Sequence, residues 1–233
     1  MEHHHTIAIG SPLWWTGIIF SIAVISILIT FGKKQDRKNQ ILIAKILAIS
    51  IAFSEITRHL ISIANGEWAV TSHLPLQLCA ISFWISVFLL FRRKPLLYEY
   101  IVMLGIPGAL QSFITPEMTS GYSNFLVFNY YFTHTGIIFT GLYLTIVLGM
   151  RPEKGSWIKV FLFGQVILIF VGLINWLIGA NYIYLCQKPL AANPFIIGDW
   201  PWYLIGLEVL GLAHILLFYF LFRYWVSRKN ISR

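Results

Sequence analysis

Two short stretches carry the residues best suited to chemistry: His73-Leu74-Pro75-Leu76-Gln77-Leu78-Cys79 and Asn129-Tyr130-Tyr131-Phe132-Thr133-His134. Each opens a long apolar run, and each brings one reactive side chain a few turns into it. Thiolate is the nucleophilic form of cysteine, and a nearby imidazole favours it by taking the thiol proton. Cys79 and His134 therefore point to nucleophilic chemistry, provided the fold brings them together. The bland alternatives are concrete: a buried cysteine is often a small apolar filler, and a histidine inside a bundle can simply bond a backbone carbonyl.

The elements that must position them are membrane helices. The chain has 233 residues, 58% hydrophobic and only 11% charged. A soluble domain carries about 25% charged residues, and apolar runs of about 20 residues read as spans. The pattern predicts an all-α polytopic membrane protein, a single domain over 1–233 built as a bundle of seven transmembrane helices. The spans are Leu13–Phe31, Ile41–Ala64, Leu74–Phe91, Tyr98–Ile114, Phe125–Gly149, Trp157–Gly179 and Pro201–Phe222. Gly105-Ile106-Pro107-Gly108 removes a backbone donor inside the fourth, where a kink is expected.

The net charge is +8, but nearly all the Lys and Arg lie in short loops after spans 1, 3 and 5 and in the tail, and the loops of the opposite side carry Lys188 alone. That asymmetry sets topology, with the N-terminus outside and the C-terminus cytoplasmic, and argues against nucleic-acid binding. The first apolar run lacks the charged start and cleavage site of a signal peptide, so it is expected to remain as a span. His3, His4 and His5 can bind metal, but a His-rich end is more often incidental. No metal or organic cofactor is expected.

Polar groups in hydrocarbon are costly and normally face the bundle interior. At 1.5 Å per residue, Cys79 lies roughly 8 Å and His134 roughly 13 Å below the outer ends of their spans. Glu55, Arg58, His59, Gln111, Asn175 and Glu208 fall in the same outer half, which predicts a cavity opening on the extracytoplasmic side. Glu55, Arg58 and His59 share one helical face. They form either an internal ion pair or a site in which Glu55 orients an imidazole or Arg58 holds an anionic head group, with Glu208 a candidate counter-charge across the bundle. His73 and Pro75 mark the start of the third span, since proline suits a first helical turn. Gln77, Asn129 and Tyr130 are candidate oxyanion or substrate donors, and Lys188 in the aromatic outer loop is a candidate phosphate ligand. Cys186, in the same loop, raises the competing possibility of a Cys79–Cys186 disulfide, disfavoured because Cys79 should lie below loop level.

These stretches, with Asn181-Tyr182, Lys188-Pro189 and Trp200-Pro201-Trp202-Tyr203, resemble the YwaF-like bacterial integral-membrane proteins over essentially the whole chain. Asp199 departs from the pattern, which has proline there. More distantly the chain is similar to a eukaryotic membrane acyltransferase that remodels ether phospholipids, and to the androgen-induced family of intramembrane lipid hydrolases, whose nucleophile is threonine. The resemblance implies a multi-pass protein of the bacterial plasma membrane, with Cys79 as nucleophile and His134 as base.

The expected function is an intramembrane Cys/His acyltransferase or transacylase acting on membrane lipid acyl esters from the extracytoplasmic side. Its partners are lipids, and Glu55, His59, His73, Gln111, Asn175 and Glu208 are a supporting polar network. The alternative is a non-catalytic lipid or small-solute binding protein or transporter.

Overall fold

The computed structural model describes residues 5–118, 121–189 and 196–226. His3 and His4 lie outside them. Among the described residues, seven helical rods make an all-α, multi-pass membrane protein. They are α1 (Pro12–Lys33), α2 (Arg37–Ala64), α3 (Leu78–Phe91), the composite α4 (Pro95–Tyr100), π-helical Ile101–Gly105 and α5 (Ile106–Ile114), then α6 (Asn124–Ile146), α7 (Ser156–Ile178) and α8 (Trp202–Phe220). A two-residue antiparallel pair, β1 (His5–Thr6) on β2 (Glu117–Met118), pins the N-terminal segment beside the end of α5.

Local chemistry places the helix ends. Ser11, Asp36 and Ser123 each accept a bond from the amide three residues on (Trp14, Asn39 and Leu126), the usual N-cap arrangement. Gly179, at φ 68°, closes α7 in the left-handed conformation that glycine adopts without a Cβ penalty. Pro107 has no N–H, and the chain absorbs the missing bond as a π-helical segment in which the Ile106 N–H reaches the Ile101 carbonyl. The irregularity expected at Gly105–Gly108 takes this form, displaced one turn towards the N-terminus.

Five rods are long and apolar enough to cross a membrane: Pro12–Lys33, Arg37–Ala64, Pro95–Ile114, Ser156–Ile178 and Trp202–Tyr224. The other two are not among them, against the seven spans expected. Helix α3 has 14 residues, about 21 Å against a hydrocarbon core of about 30 Å. It is short because His73–Gln77 is a turn rather than helix. Pro75 therefore sits in that turn, not in a first helical turn, and Gln77 is the N-cap. Helix α6 is long, but fifteen of its 23 residues are buried. Its Asn, Thr, Tyr and His residues are tolerated because protein, not lipid, surrounds it.

Around α6 the backbones approach closely. The Tyr131 ring lies where a Cβ on Gly17 would be, and a Cβ on Gly141 would come within 2.6 Å of Ile106. These are small-residue contacts of the kind that join membrane helices. The lipid-facing surface is correspondingly apolar, with Ile27, Phe53, Ile169 and Trp176 each more than 64% exposed.

Candidate functional site

A cavity of about 720 Å³ lies between α7 and α8 on one side and α2, α3, α5 and α6 on the other, within the size range of small-molecule sites. Both opening residues line it. Cys79 is the second residue of α3, not five residues into a helix as the span boundaries implied. Helix α3 has no side-chain cap, and the amides of Leu78, Cys79 and Ala80 have no acceptor among the described residues. The thiol thus sits at a helix N-terminus, where unpaired N–H groups favour negative charge.

Across this cavity the Cys79 thiol and the His134 imidazole lie close enough to interact. The ring's tautomer follows from its other partner. His134 Nδ1 lies 2.6 Å from the Tyr130 carbonyl oxygen, which can only accept, so Nδ1 carries the proton. Nε2 is left with a lone pair for the thiol proton. A Cys–His pair oriented by a third group is the arrangement that activates a nucleophile.

Sequence reasoning missed Ser112. Its hydroxyl is 3.4 Å from the Cys79 sulfur and donates to the Gly108 carbonyl at 3.0 Å. Tyr130, expected among the substrate donors, is instead a strut. Its phenol donates to the Ser112 carbonyl at 2.7 Å and accepts from the Glu117 backbone. The Ser112 carbonyl needs that donor because the residue four places on is Pro116, which has no N–H. One residue therefore holds both neighbours of the sulfur, Ser112 through its phenol and His134 through its carbonyl.

The remaining candidates separate into cavity and lid. Glu55, Arg58, Gln77, Gln111, Asn129 and Glu208 line the cavity. Arg58 is gripped bidentately by Glu55, at 2.7 and 3.1 Å, within its own helix. Glu208 accepts from Gln165 at 2.8 Å, and Glu55, on the same helix as Arg58, supplies it a counter-charge. Gln165, a polar residue inside an apolar span, was a readable signal that was passed over. Asn129 donates to Ser54 at 3.0 Å, and Gln111 to Thr115 at 3.2 Å. Gln77 accepts from the Ile183 amide at 2.9 Å, while its own amide nitrogen has no partner among the described residues.

Asn175, His59, His73 and Lys188 are absent from the cavity wall. Asn175 brackets Tyr182 with two bonds of 2.9 Å. The Tyr182 hydroxyl donates to Val70 O and accepts from Leu74 N. These bonds fold the α7–α8 loop over the cavity, where Ile183, Tyr184 and Leu185 form part of its roof. Ile183 holds this shape at φ 57°, a conformation a β-branched residue avoids unless its surroundings impose it. Lys188 pairs with Asp199 at 3.0 Å, so a carboxylate already engages the candidate phosphate ligand.

His59 Nδ1 accepts from Trp68 at 3.1 Å. His73 is buried in the α2–α3 loop, its Nδ1 accepting from the Ala69 amide and its Nε2 beside Ser62 Oγ at 3.2 Å. Burial, reinforced by the nearby Arg58 and His59, lowers the His73 pKa below the ordinary histidine value. Cys79 and Cys186 are both free thiols, which removes the disulfide alternative. Among the described residues no cluster of three metal-ligating side chains occurs.

The whole site lies at the pole formed by the α2–α3, α5–α6 and α7–α8 connections. The basic runs Lys33-Lys34, Arg92-Arg93-Lys94 and Arg151 to Lys154 mark the opposite pole. Residues 3–219 match the model of the TMEM164 family, and the chain belongs to that family, a family of membrane proteins. No curated protein and no solved structure matches it.

Proposed function

We propose that this TMEM164-family protein is an intramembrane cysteine acyltransferase or transacylase acting on lipid acyl esters. The observation that carries the proposal is the Cys79 thiol against a His134 ring whose Nδ1 proton is committed to a backbone carbonyl. In the proposed cycle His134 Nε2 takes the thiol proton and the sulfur attacks an ester carbonyl. The carbonyl oxygen gains charge beside the unpaired amides of α3 and the Gln77 side-chain amide, which act as oxyanion donors. His134 returns its proton to the departing lysolipid oxygen, leaving an acyl-thioester on Cys79. A second lipid hydroxyl then gives its proton to His134, attacks the thioester and carries the chain away.

Three further features support this reading. The cavity wall includes Ile169, which is also 74% exposed on the lipid side of α7, so an acyl chain can reach the site laterally from the bilayer. The outer-loop roof limits water, as transfer rather than hydrolysis requires. The resemblance to the YwaF-like proteins and the ether-phospholipid acyltransferase supplies a precedent for the chemistry. By the positive-inside rule the site faces the extracytoplasmic side of a bacterial plasma membrane.

The test uses the full chain in nanodiscs containing a phospholipid with an alkyne-tagged acyl chain. A hydroxylamine-sensitive label on Cys79, abolished by Cys79→Ser and His134→Ala and passed to added lysolipid, is the expected result. A folded, reduced protein that acquires no label overturns it. Glu208 and Gln165 in the cavity wall favour a second reading, a binding protein or transporter, in which Cys79→Ser retains full ligand uptake.

A further inference from the structure

We infer that Ser112 is a catalytic residue of this site: its hydroxyl switches from the Gly108 carbonyl to the Cys79 sulfur as the thiolate forms. The inference rests on the Cys79–His134 reading above and extends it by one group. In the resting site the single S–H proton faces two acceptors, His134 Nε2 and Ser112 Oγ, because the Ser112 hydroxyl proton is directed at Gly108 O, 3.0 Å away. When the S–H bond breaks and the N–H bond forms at His134 Nε2, the electron pair stays on sulfur. Sulfur is then an acceptor only. The hydroxyl group at 3.4 Å can meet it by rotation about one bond, keeping its own proton throughout.

The rotation strands nothing. Gly108 O retains its helical donor, the Ser112 amide one turn on within α5. Nor does Ser112 drift away, since the Tyr130 phenol clamps its carbonyl where Pro116 offers no N–H. His134 approaches from α6 and Ser112 from α5, so the thiolate is held from two helices. Once sulfur is acylated it no longer carries charge, and the hydroxyl is free to return to Gly108. The donor is therefore absent for the resting thiol, strongest for the thiolate and weak for the thioester, so it lowers the cost of forming the nucleophile from the resting site, an interaction not already present in the ground state.

Threonine and valine have nearly the same shape, so Ser112→Thr and Ser112→Val form a matched pair differing in the hydroxyl. Both are made in a Cys186→Ser background, where the exposed second thiol is removed, and alkylation of Cys79 by iodoacetamide is followed in nanodiscs at fixed pH. Loss of a bond to a charged acceptor should slow alkylation about tenfold in Ser112→Val, while Ser112→Thr stays within about twofold of the parent. Equal rates in the two variants overturn the role of Ser112 and leave the dyad standing if His134→Ala is still slow. Equal rates in all variants, His134→Ala included, overturn both. Ser112→Ala, which adds no methyl, gives the same comparison against the parent should the larger side chains disturb α5.

Discussion

Replacing Tyr130 with phenylalanine removes one oxygen and separates the oxyanion role expected from the sequence from the strut role seen in the structure. As a strut, the phenol satisfies the Ser112 carbonyl at 2.7 Å, a group that Pro116 leaves without a helical donor, and takes a bond from the Glu117 backbone. Phenylalanine keeps the ring packing against His134, whose centroid is 4.4 Å away, and keeps the backbone bond to Nδ1. The cost is then an unsatisfied carbonyl, about 1–3 kcal/mol. For a chain of this size that lowers the melting temperature by roughly 2–4 °C per kcal/mol. Freed from its clamp, the end of α5 shifts Ser112 relative to the sulfur, and Cys79 alkylation slows by roughly threefold to tenfold, since small misplacements at a reacting centre are costly. Melting followed by tryptophan fluorescence and alkylation by iodoacetamide read the two effects separately. Iodoacetamide develops no oxyanion, so an unchanged melting temperature and alkylation rate with impaired acyl transfer would refute the strut and make Tyr130 an oxyanion donor.

Two further outcomes follow from the polar groups around the cavity. Glu55→Leu removes the carboxylate that grips the Arg58 guanidinium, and losing one partner of a buried pair costs about 3–5 kcal/mol. The double variant Glu55→Leu/Arg58→Met should recover much of that, and a melting series in which the double is no better than the single would show that Arg58 does not depend on Glu55. The lowered His73 pKa gives a pH dependence of fixed sign. Above the ordinary value of 6.5 the ring is neutral whether folded or not, and its stabilising contribution is complete. As pH falls below 6.5 the unfolded chain takes up the proton first, so stability declines until the folded pKa is passed. His73→Gln, neutral at every pH, should flatten the melting-temperature profile between about pH 6.5 and the acid end. An unchanged slope there would assign the acid sensitivity to another group.

Much of the architecture was legible because bilayer constraints act locally. Runs long enough to cross hydrocarbon must be apolar, so α1, α2, α7 and α8 stand within a few residues of their expected positions. Pro107 announced the irregular fourth rod for the equally local reason that it lacks a donor. Helix α3 was misplaced because hydropathy does not distinguish an apolar turn from an apolar helix. The bonds that hold the turn are the Tyr182 hydroxyl to Leu74 and the Gln77 side chain to Ile183, and both come from more than 100 residues away. Ser112 was overlooked because a serine in a span usually satisfies itself on its own helix, as this one also does.

The sequence by itself determined the all-α membrane class, the separation of basic loops from the polar half, and the identities of the thiol and imidazole. All of these follow from composition and from the period of one helix. Tertiary structure alone decided that Cys79 heads its helix with unpaired amides beside it. It decided, too, that His134 offers Nε2 and not Nδ1, and that Tyr130 supports while Ser112 touches the sulfur. Those properties depend on which donor meets which acceptor across α3, α5 and α6, and a hydrogen bond of about 3 Å between helices is set by packing that no single segment encodes.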